Sequence, residues 1–305
     1  MKAVVINAYG DNDVVQYLDI DRPEPRDGQI RIKVLAAGVN PVDWKIRNGA
    51  GERMGMTLPI HLGGEVAGTV DALGEGVTRF AEGDAVYGII PSGGFAEYAI
   101  ASATDMAPMP GRLSFTEAAA VPLGALTAWQ ALFGLAQLSP GQRLLVTSGA
   151  GGVGSLAVQM AKAKGVHVTA MASTRNEDYV RGLGADVFID YTRHDFTQVA
   201  NDMDVVFDTV GGETFGRAFA CVKSGGFLVT AVAFPTDEGE RHGVRTARVV
   251  CKPDAGQLAS ITDLVEDGAV IPRVGTVLPL KDIKQALALS ETGRARGKIV
   301  LTIGE

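Results

Sequence analysis

Three glycines, at positions 149, 151 and 154, have the spacing of a loop that holds a dinucleotide. They lie between an apolar segment at 144–147 and a helical segment that contains Leu156 and Met160. In this context the first glycine permits a tight turn, the second lets the backbone approach a pyrophosphate, and the third lets the helix pack closely. The N–H groups at the start of the helix favour an anion. The predicted dinucleotide loop comprises Gly149, Ala150, Gly151, Gly152, Val153 and Gly154.

The residues about 20 positions after this loop indicate which dinucleotide it binds. An NAD site normally has an acidic residue there, which accepts a hydrogen bond from the ribose 2′-hydroxyl. This chain has Ser173, Thr174 and Arg175 instead, with no acid among them. Because a guanidinium can donate two hydrogen bonds to a phosphate, Ser173 and Arg175 are predicted to favour NADP(H) over NAD(H). The alternative for Arg175 is an ordinary solvated arginine at the start of a helix.

From residue 143 onward, apolar segments alternate with helical ones. The predicted strands are 144–147, 167–171, 187–190, 205–208 and 227–231, and a further helix is predicted at 255–267. This alternation predicts a parallel sheet covered by helices on both faces. Ligands bind at the carboxyl ends of such strands. The residues expected there to border the cofactor are Asp208, Val210, Ala231, Ala233 and Phe234, although Phe234 is equally consistent with packing.

The first 110 residues have a different pattern, with short β-like segments divided by Gly and Pro. They predict a small, mostly antiparallel β domain with strands at 29–35, 65–73, 85–90 and 95–100. Ser114 and Glu117 have the spacing of a helix capping box, and residues 118–135 are predicted to be helical.

Composition excludes several classes of protein. The 305 residues carry a net charge of −7 and no basic cluster, which argues against nucleic acid as a partner. The sequence contains no run of about 18 apolar residues, so no membrane span is predicted. Cys221 and Cys251 have neither a disulfide framework nor metal-ligand spacing, which fits a reducing, cytoplasmic location.

With these residues in hand, the chain resembles the medium-chain dehydrogenase/reductase superfamily. Within it, the chain is similar to the zinc-independent quinone oxidoreductases related to zeta-crystallin. The likeness rests on residues 141–162 around the glycines, on the N-x-x-D block at 37–45 and on the G-x-E-x-x-G block at 59–68. It implies an α/β protein with a GroES-like domain at 1–115 and 272–305. A Rossmann NADP-binding domain with a doubly wound parallel sheet would occupy 116–271, and the chain would form a homodimer.

Zinc enzymes of this superfamily would carry a cysteine in place of Asn40 and a histidine in place of Gly64. Residues 118–128 contain no Cys or His for a third ligand, and the first domain has no cysteine for a structural zinc lobe. Because zinc needs three or four His, Cys or carboxylate ligands, no metal site is predicted.

The resemblance implies an NADPH-dependent oxidoreductase that transfers hydride to a small quinone or α,β-unsaturated carbonyl without zinc. Asn40 and Lys45 would line the cleft beside the nicotinamide, and Asp43 would orient Lys45 or the local loop. The structural alternatives are that Asn40 shapes a turn before Pro41 and that Lys45 is a surface lysine.

Three further cofactor contacts follow from the resemblance alone. Thr127 would contact the nicotinamide ribose or amide, Tyr191 would cover the adenosine phosphate, and Lys298 would contact the cofactor. The alternative for Thr127 is a helix hydroxyl bonded to its own backbone. For Tyr191 it is a half-buried aromatic residue at a strand end, and for Lys298 it is a solvated lysine.

Two other functions remain open on the sequence. One is an NADPH-binding redox sensor or crystallin-like protein with little turnover. The other is an enoyl-thioester reductase, which would need a basic patch for a phosphopantetheine or coenzyme A arm. Arg241, Arg245 and Arg248 lie near His242, but this segment is expected to be a solvated loop.

Overall fold

The computed structural model describes residues 1–304, which contain sixteen strands and eleven α-helices. In chain order the strands are β1 (Lys2–Ile6), β2 (Val15–Asp19), β3 (Gln29–Val39), β4 (Ile60–His61), β5 (Glu65–Leu73), β6 (Ala85–Ile89), β7 (Tyr98–Ser102), β8 (Met106–Pro108), β9 (Arg143–Val146), β10 (His167–Ala172), β11 (Val187–Asp190), β12 (Met203–Asp208), β13 (Val222–Thr230), β14 (Arg245–Arg248), β15 (Val274–Pro279) and β16 (Lys298–Thr302).

The α-helices are α1 (Pro41–Lys45), α2 (Gly51–Arg53), α3 (Phe115–Ala118), α4 (Pro122–Trp129), α5 (Gly154–Ala163), α6 (Glu177–Gly182), α7 (Phe196–Val199), α8 (Gly212–Ala218), α9 (Glu238–His242), α10 (Ala255–Glu266) and α11 (Ile283–Glu291). Short 3-10 and π-helical turns lie at Asn12–Val14, Ile46–Ala50, Gln130–Leu135, Thr174–Asn176, Phe219–Cys221 and Leu280–Asp282.

The first unit is a mostly antiparallel β structure, as its Gly- and Pro-divided pattern predicted. A seven-stranded sheet runs β15-β16-β3-β5-β6-β8 with β7 paired to β3, and a second sheet runs β2-β1-β4. Strand β16, from near the end of the chain, pairs antiparallel with β3 and so joins the sheet of this domain. Helix α11 packs Ile283, Ala286 and Leu287 into the same apolar core, at the spacing of one helix face.

The second unit is built on a six-stranded sheet in the order β11-β10-β9-β12-β13-β14. Every pair in this sheet is parallel. The central strands β9 and β12 are buried along almost their whole length, as expected when helices cover both faces of a parallel sheet. The GroES-like and Rossmann architecture expected from the resemblance is therefore confirmed.

One segment of the second unit differs from its prediction. The basic residues expected in a solvated loop lie instead on helix α9 and on the edge strand β14. The Arg245 guanidinium lies 5.0 Å from the Phe227 ring centroid, and that of Arg248 lies 4.0 Å from the Phe234 ring centroid. Cation–π contacts and pairing with β13 thus stabilise a short edge strand that has no apolar pattern of its own.

The helical prediction at 118–135 is confirmed in part, because the helix is broken. The Ser114–Glu117 capping box starts α3. The helix then ends and restarts at Pro122, since a proline disfavours helical backbone at the residue before it. Within residues 1–304, Phe115–Leu135 is the one helical segment long and apolar enough to cross a membrane by composition. Because 67% of its most apolar window is buried inside the protein, a core helix accounts for that composition.

The compact units divide the chain at slightly different places from the predicted boundaries. The first unit comprises residues 1–123, 253–262 and 272 onward, and the second comprises 124–252 and 263–271. The first unit continues past residue 115 because the Leu123 N–H donates to the Glu65 carboxylate at 2.8 Å. Residues 253–262 join it through the hydroxyl pair of Tyr87 and Thr262, 2.7 Å apart.

Candidate functional site

The glycine loop connects β9 to α5 with almost no free space. A Cβ added at Gly154 would lie 1.8 Å from the Ser148 carbonyl oxygen, so only glycine allows the helix to begin here. A Cβ at Gly149 would lie 2.9 Å from the Ala170 Cβ, and one at Gly151 would lie 3.1 Å from the Ser148 Oγ. Gly149 lies in a turn, as expected, and all three glycines lie outside the left-handed region, so they are needed for close packing. Ala150, Gly152 and Val153 complete the loop. The Ser155 N–H donates to the Gly151 carbonyl and the Ala157 N–H donates to the Val153 carbonyl, each at 3.0 Å, so the hydrogen bonding of α5 begins within the loop.

Asp208 organises the carboxyl ends of β12 and β13. Its carboxylate is fully buried and accepts hydrogen bonds from the hydroxyls of Thr147 (3.2 Å) and Thr230 (2.7 Å). It also accepts from the N–H groups of Val210 (3.1 Å) and Gly211 (3.0 Å). The Asp208 side chain therefore positions the loops after β12 and β13, and the predicted place of Asp208 at the border of the cofactor stays a prediction.

The loop after β13 is fixed in a similar way. The Ala231 N–H donates to the Asp208 carbonyl at 2.9 Å, and the Ala233 N–H donates to the Thr230 hydroxyl at 3.0 Å. Val210 and Phe234 are exposed, Phe234 to 76%, with the Arg248 guanidinium 4.0 Å from its ring centroid. These side chains lie at the carboxyl edge of the sheet, where a ligand can reach them.

The predicted 2′-phosphate ligands lie at the end of β10. Arg175 is exposed on the turn Thr174–Asn176, and no carboxylate among residues 1–304 lies within 4 Å of its guanidinium. Ser173 is half-buried and accepts a hydrogen bond from the Asn176 side chain at 3.2 Å. Tyr191 is exposed at the end of the neighbouring strand β11. The structure thus brings Ser173, Arg175 and Tyr191 to one edge of the sheet, whereas Thr127 is buried on α4.

A buried polar cluster lies in the first unit, where β16, β3 and β5 are neighbours. The Lys298 ammonium donates to Glu65 Oε2 at 2.7 Å and to Asn40 Oδ1 at 2.5 Å. The Asn40 amide nitrogen donates to the same Glu65 oxygen at 2.9 Å. A Cβ at Gly38 would lie 2.2 Å from Glu65 Oε2, so this glycine makes room for the carboxylate. Sequence reasoning missed Glu65, although it is the acidic residue of the G-x-E-x-x-G block.

This cluster changes the interpretation of four predicted residues. Lys298 is buried in an ion pair, which replaces the expected cofactor contact. Asn40 has both ends of its amide engaged, so it positions the cluster and starts α1. Asp43 accepts from the Asn40 N–H at 2.7 Å and therefore fixes the local loop instead of orienting Lys45. Lys45 is exposed, with its ammonium 5.5 Å from the Trp44 ring centroid.

Burial raises the pKa of Asp43 from its ordinary 3.8 to about 7, and the nearby Glu65 carboxylate acts in the same direction. The Asn40 N–H and the Lys298 ammonium oppose the shift without cancelling it. The folded protein therefore keeps a proton on Asp43 that the unfolded chain releases near pH 4.

The free energy of unfolding is expected to fall as pH rises from about 4 to 7, because the folded state binds the extra proton in that window. The loss attributable to Asp43 is on the order of a few kcal/mol. Denaturant titrations at several pH values would show it as the difference between the wild type and Asp43→Asn, which cannot titrate. If the free energy of unfolding depends on pH in the same way in both proteins, the raised pKa of Asp43 is contradicted.

The residues of this cluster do not fit zinc. The resemblance places Asn40 and Gly64 at two of the zinc-ligand positions. Neither is a His, Cys or carboxylate residue, and the Asn40 oxygen accepts from an ammonium group. Across residues 1–304, no group of three or more His, Cys, Asp or Glu side chains is placed to hold a metal ion.

Comparison with known proteins gives two family matches and close structural neighbours. Residues 26–111 match the alcohol dehydrogenase GroES-like domain, and residues 183–301 match the zinc-binding dehydrogenase family. A 2-methylene-furan-3-one reductase from Solanum lycopersicum is 37% identical over 99% of this chain and 79% of its own length. An NADPH-dependent alkenal/one oxidoreductase of the chloroplast from Arabidopsis thaliana is 36% identical over the same shares.

Among solved structures, the quinone oxidoreductase from Coxiella burnetii superposes with a TM-score of 0.93. It is 33% identical, and the match covers 100% of this chain and 99% of that one. Together with the glycine loop and the two-unit fold, these matches show that the chain belongs to the medium-chain dehydrogenase/reductase superfamily, in its quinone-oxidoreductase-like subgroup, and is an NAD(P)-dependent oxidoreductase.

Proposed function

We propose that this protein uses NADPH to reduce quinones or α,β-unsaturated carbonyls without zinc. The observation that carries the proposal is the exposed Arg175 guanidinium, free of any acidic partner in residues 1–304, beside Ser173 at the end of the second strand of the sheet. The names of the relatives support the same substrate class, since one is an NADPH-dependent alkenal/one oxidoreductase and another is a 2-methylene-furan-3-one reductase.

The chain's own residues bind and orient the cofactor. The glycine loop presents the start of α5 to the pyrophosphate, and Arg175, Ser173 and Tyr191 provide donors for the 2′-phosphate. Asp208 and Thr230 hold the loops that border the nicotinamide end. When bound, the nicotinamide supplies the hydride chemistry.

A conjugated acceptor is the substrate class that such a site suits best. Conjugation spreads the incoming negative charge onto a carbonyl oxygen, so that no Lewis acid is needed. We propose the exposed ammonium of Lys45 as the donor to that oxygen or to a ribose hydroxyl, with Asn40 and Asp43 holding α1 in position. We also propose a cytoplasmic homodimer, as the family resemblance implies.

Replacing Arg175 with alanine tests the cofactor assignment. We expect NADPH affinity, measured by fluorescence titration, to fall roughly 10-fold to 100-fold, because a charge-assisted contact to the phosphate is lost. NADH affinity should change by less than about twofold, since NADH has no 2′-phosphate.

Arg181→Ala is the matched control, because Arg181 is an arginine of the following helix that pairs with Glu177 at 2.9 Å. It should leave both affinities unchanged. Equal losses of NADPH and NADH in Arg175→Ala would refute the phosphate role.

A further inference from the structure

A carboxylate lies directly beside the predicted 2′-phosphate site. Asp190 ends β11, and the parallel register pairs it with Ala172, the residue before Ser173. The Tyr191 N–H donates to the Ala172 carbonyl at 3.3 Å. Asp190 is thus about 4.8 Å, one strand spacing, from the backbone that leads to Ser173 and Arg175.

Protein donors occupy both oxygens of this carboxylate. Oδ1 accepts from the Thr192 hydroxyl at 2.6 Å and from the Thr192 N–H at 2.9 Å. Oδ2 accepts from the Thr174 hydroxyl and lies 3.6 Å from the Arg193 Nε. The hydrogen bonds from Thr174 and Thr192 lower the pKa of Asp190 to about 2, so the group is ionised at neutral pH.

NAD sites use an ionised carboxylate at the end of the second strand of the sheet to accept the ribose 2′-hydroxyl. Asp190 places such a carboxylate at the end of the neighbouring strand β11, opposite Ala172 in the register. The same group repels a 2′-phosphate. An exposed Asp190 with free acceptor sites would therefore favour NADH, which conflicts with the preference that Arg175 indicates. Hydroxyl donors on its acceptor sites remove the carboxylate as a partner for the ribose 2′-hydroxyl. Burial and the Arg193 guanidinium weaken its repulsion of a phosphate without abolishing it.

We propose that Thr174 and Thr192 mask the Asp190 carboxylate and so set the preference of this protein for NADPH over NADH. This inference rests on the proposed NADPH site and adds two specificity-determining residues to it. Both threonines act through Asp190 and are positioning residues.

The test compares the affinities of four probes, which are NADPH, NADH, 2′,5′-ADP and 5′-AMP. In Thr174→Val combined with Thr192→Val, two donors are lost and Asp190 becomes available to the ribose. We expect the ratio of the NADH to the NADPH dissociation constant to fall about tenfold, and the 5′-AMP to 2′,5′-ADP ratio to fall with it. Asp190→Asn should move both ratios the other way, because the amide has no charge to repel the phosphate.

Thr197→Val is the matched control. The Thr197 hydroxyl donates to Asp195 at 2.8 Å in the same kind of threonine–aspartate pair, on helix α7. It should leave the ratios unchanged. A purely structural role for the Thr174 and Thr192 bonds would weaken all four probes together, without moving a ratio.

An unchanged ratio in the double variant would overturn the inference while leaving the NADPH site intact. Asp190→Asn keeps both threonines and tests the inference even if the double threonine variant does not fold. If the ratio of the NADH to the NADPH dissociation constant falls or stays constant in Asp190→Asn, the inference is also overturned. A wild-type protein that binds NADPH and NADH equally would contradict the proposed function itself, and that result would be visible before any variant is compared.

Discussion

Replacing Gly154 with alanine is expected to weaken NADPH binding on the order of 100-fold, because the loop must move to make room. The added Cβ would lie 1.8 Å from the Ser148 carbonyl oxygen, a backbone atom that cannot rotate away. Either the helix α5 or the strand-to-loop connection must shift, and the N–H groups that face the pyrophosphate shift with it. The overpacking should also lower the free energy of unfolding by about 3 kcal/mol.

Cofactor titration and denaturant unfolding measure the two effects. Gly216→Ala is the matched control, since Gly216 lies within helix α8 and no atom lies within 4 Å of an added Cβ. It should stabilise the protein by about 0.4–1 kcal/mol and leave NADPH affinity unchanged. Wild-type NADPH affinity in Gly154→Ala would show that the loop does not hold the pyrophosphate.

Replacing Lys298 with methionine is expected to lower the free energy of unfolding by about 3–5 kcal/mol, since it leaves a buried carboxylate without its counter-charge. Glu65 has no exposed surface, and Lys298 provides the one cationic group that contacts it within residues 1–304. The Asn40 amide and the Leu123 N–H remain as donors but carry no charge. Denaturant unfolding measures the loss.

A second change separates the ion pair from packing. Adding Glu65→Gln to Lys298→Met removes the uncompensated charge, so the double variant should be more stable than Lys298→Met alone. Lys2→Met is the matched control, because Lys2 pairs with Asp19 at the same 2.7 Å but both side chains are exposed. It should change stability little. If the double variant loses as much free energy of unfolding as the two single variants together, the loss in Lys298→Met comes from packing and not from the unpaired charge.

The nucleotide half of the site could be predicted from the sequence because its signals are local. The three glycines, the strand before them and Arg175 all lie within about one β-α-β unit, whose geometry the spacing fixes. The same locality explains why five of the six parallel strands were found. Strand β14 was missed because it has no apolar pattern. It is held by its pairing with β13 and by the contacts of Arg245 and Arg248 with phenylalanine rings of the unit.

The polar cluster of the first unit could not be predicted in the same way. Lys298 and Asn40 are 258 residues apart, and Lys298 and Glu65 are 233 apart. Only the pairing of β16 with β3 and of β3 with β5 brings them together. A lysine at the start of a strand has no sequence signal for a buried partner, so Lys298 was expected to contact the cofactor or solvent. Asp190 was missed for a related reason, since its role depends on the register of β10 and β11.

Turnover of metal-free protein tests the central claim most directly. The purified enzyme would be treated with a chelator, its zinc content measured, and the oxidation of NADPH followed at 340 nm with a panel of quinones and enones. We expect sustained NADPH oxidation with at least one conjugated acceptor and no gain when zinc is added back. Activity that disappears with the chelator and returns with zinc would contradict the account, and NADPH binding without turnover on any acceptor would favour a binding protein instead.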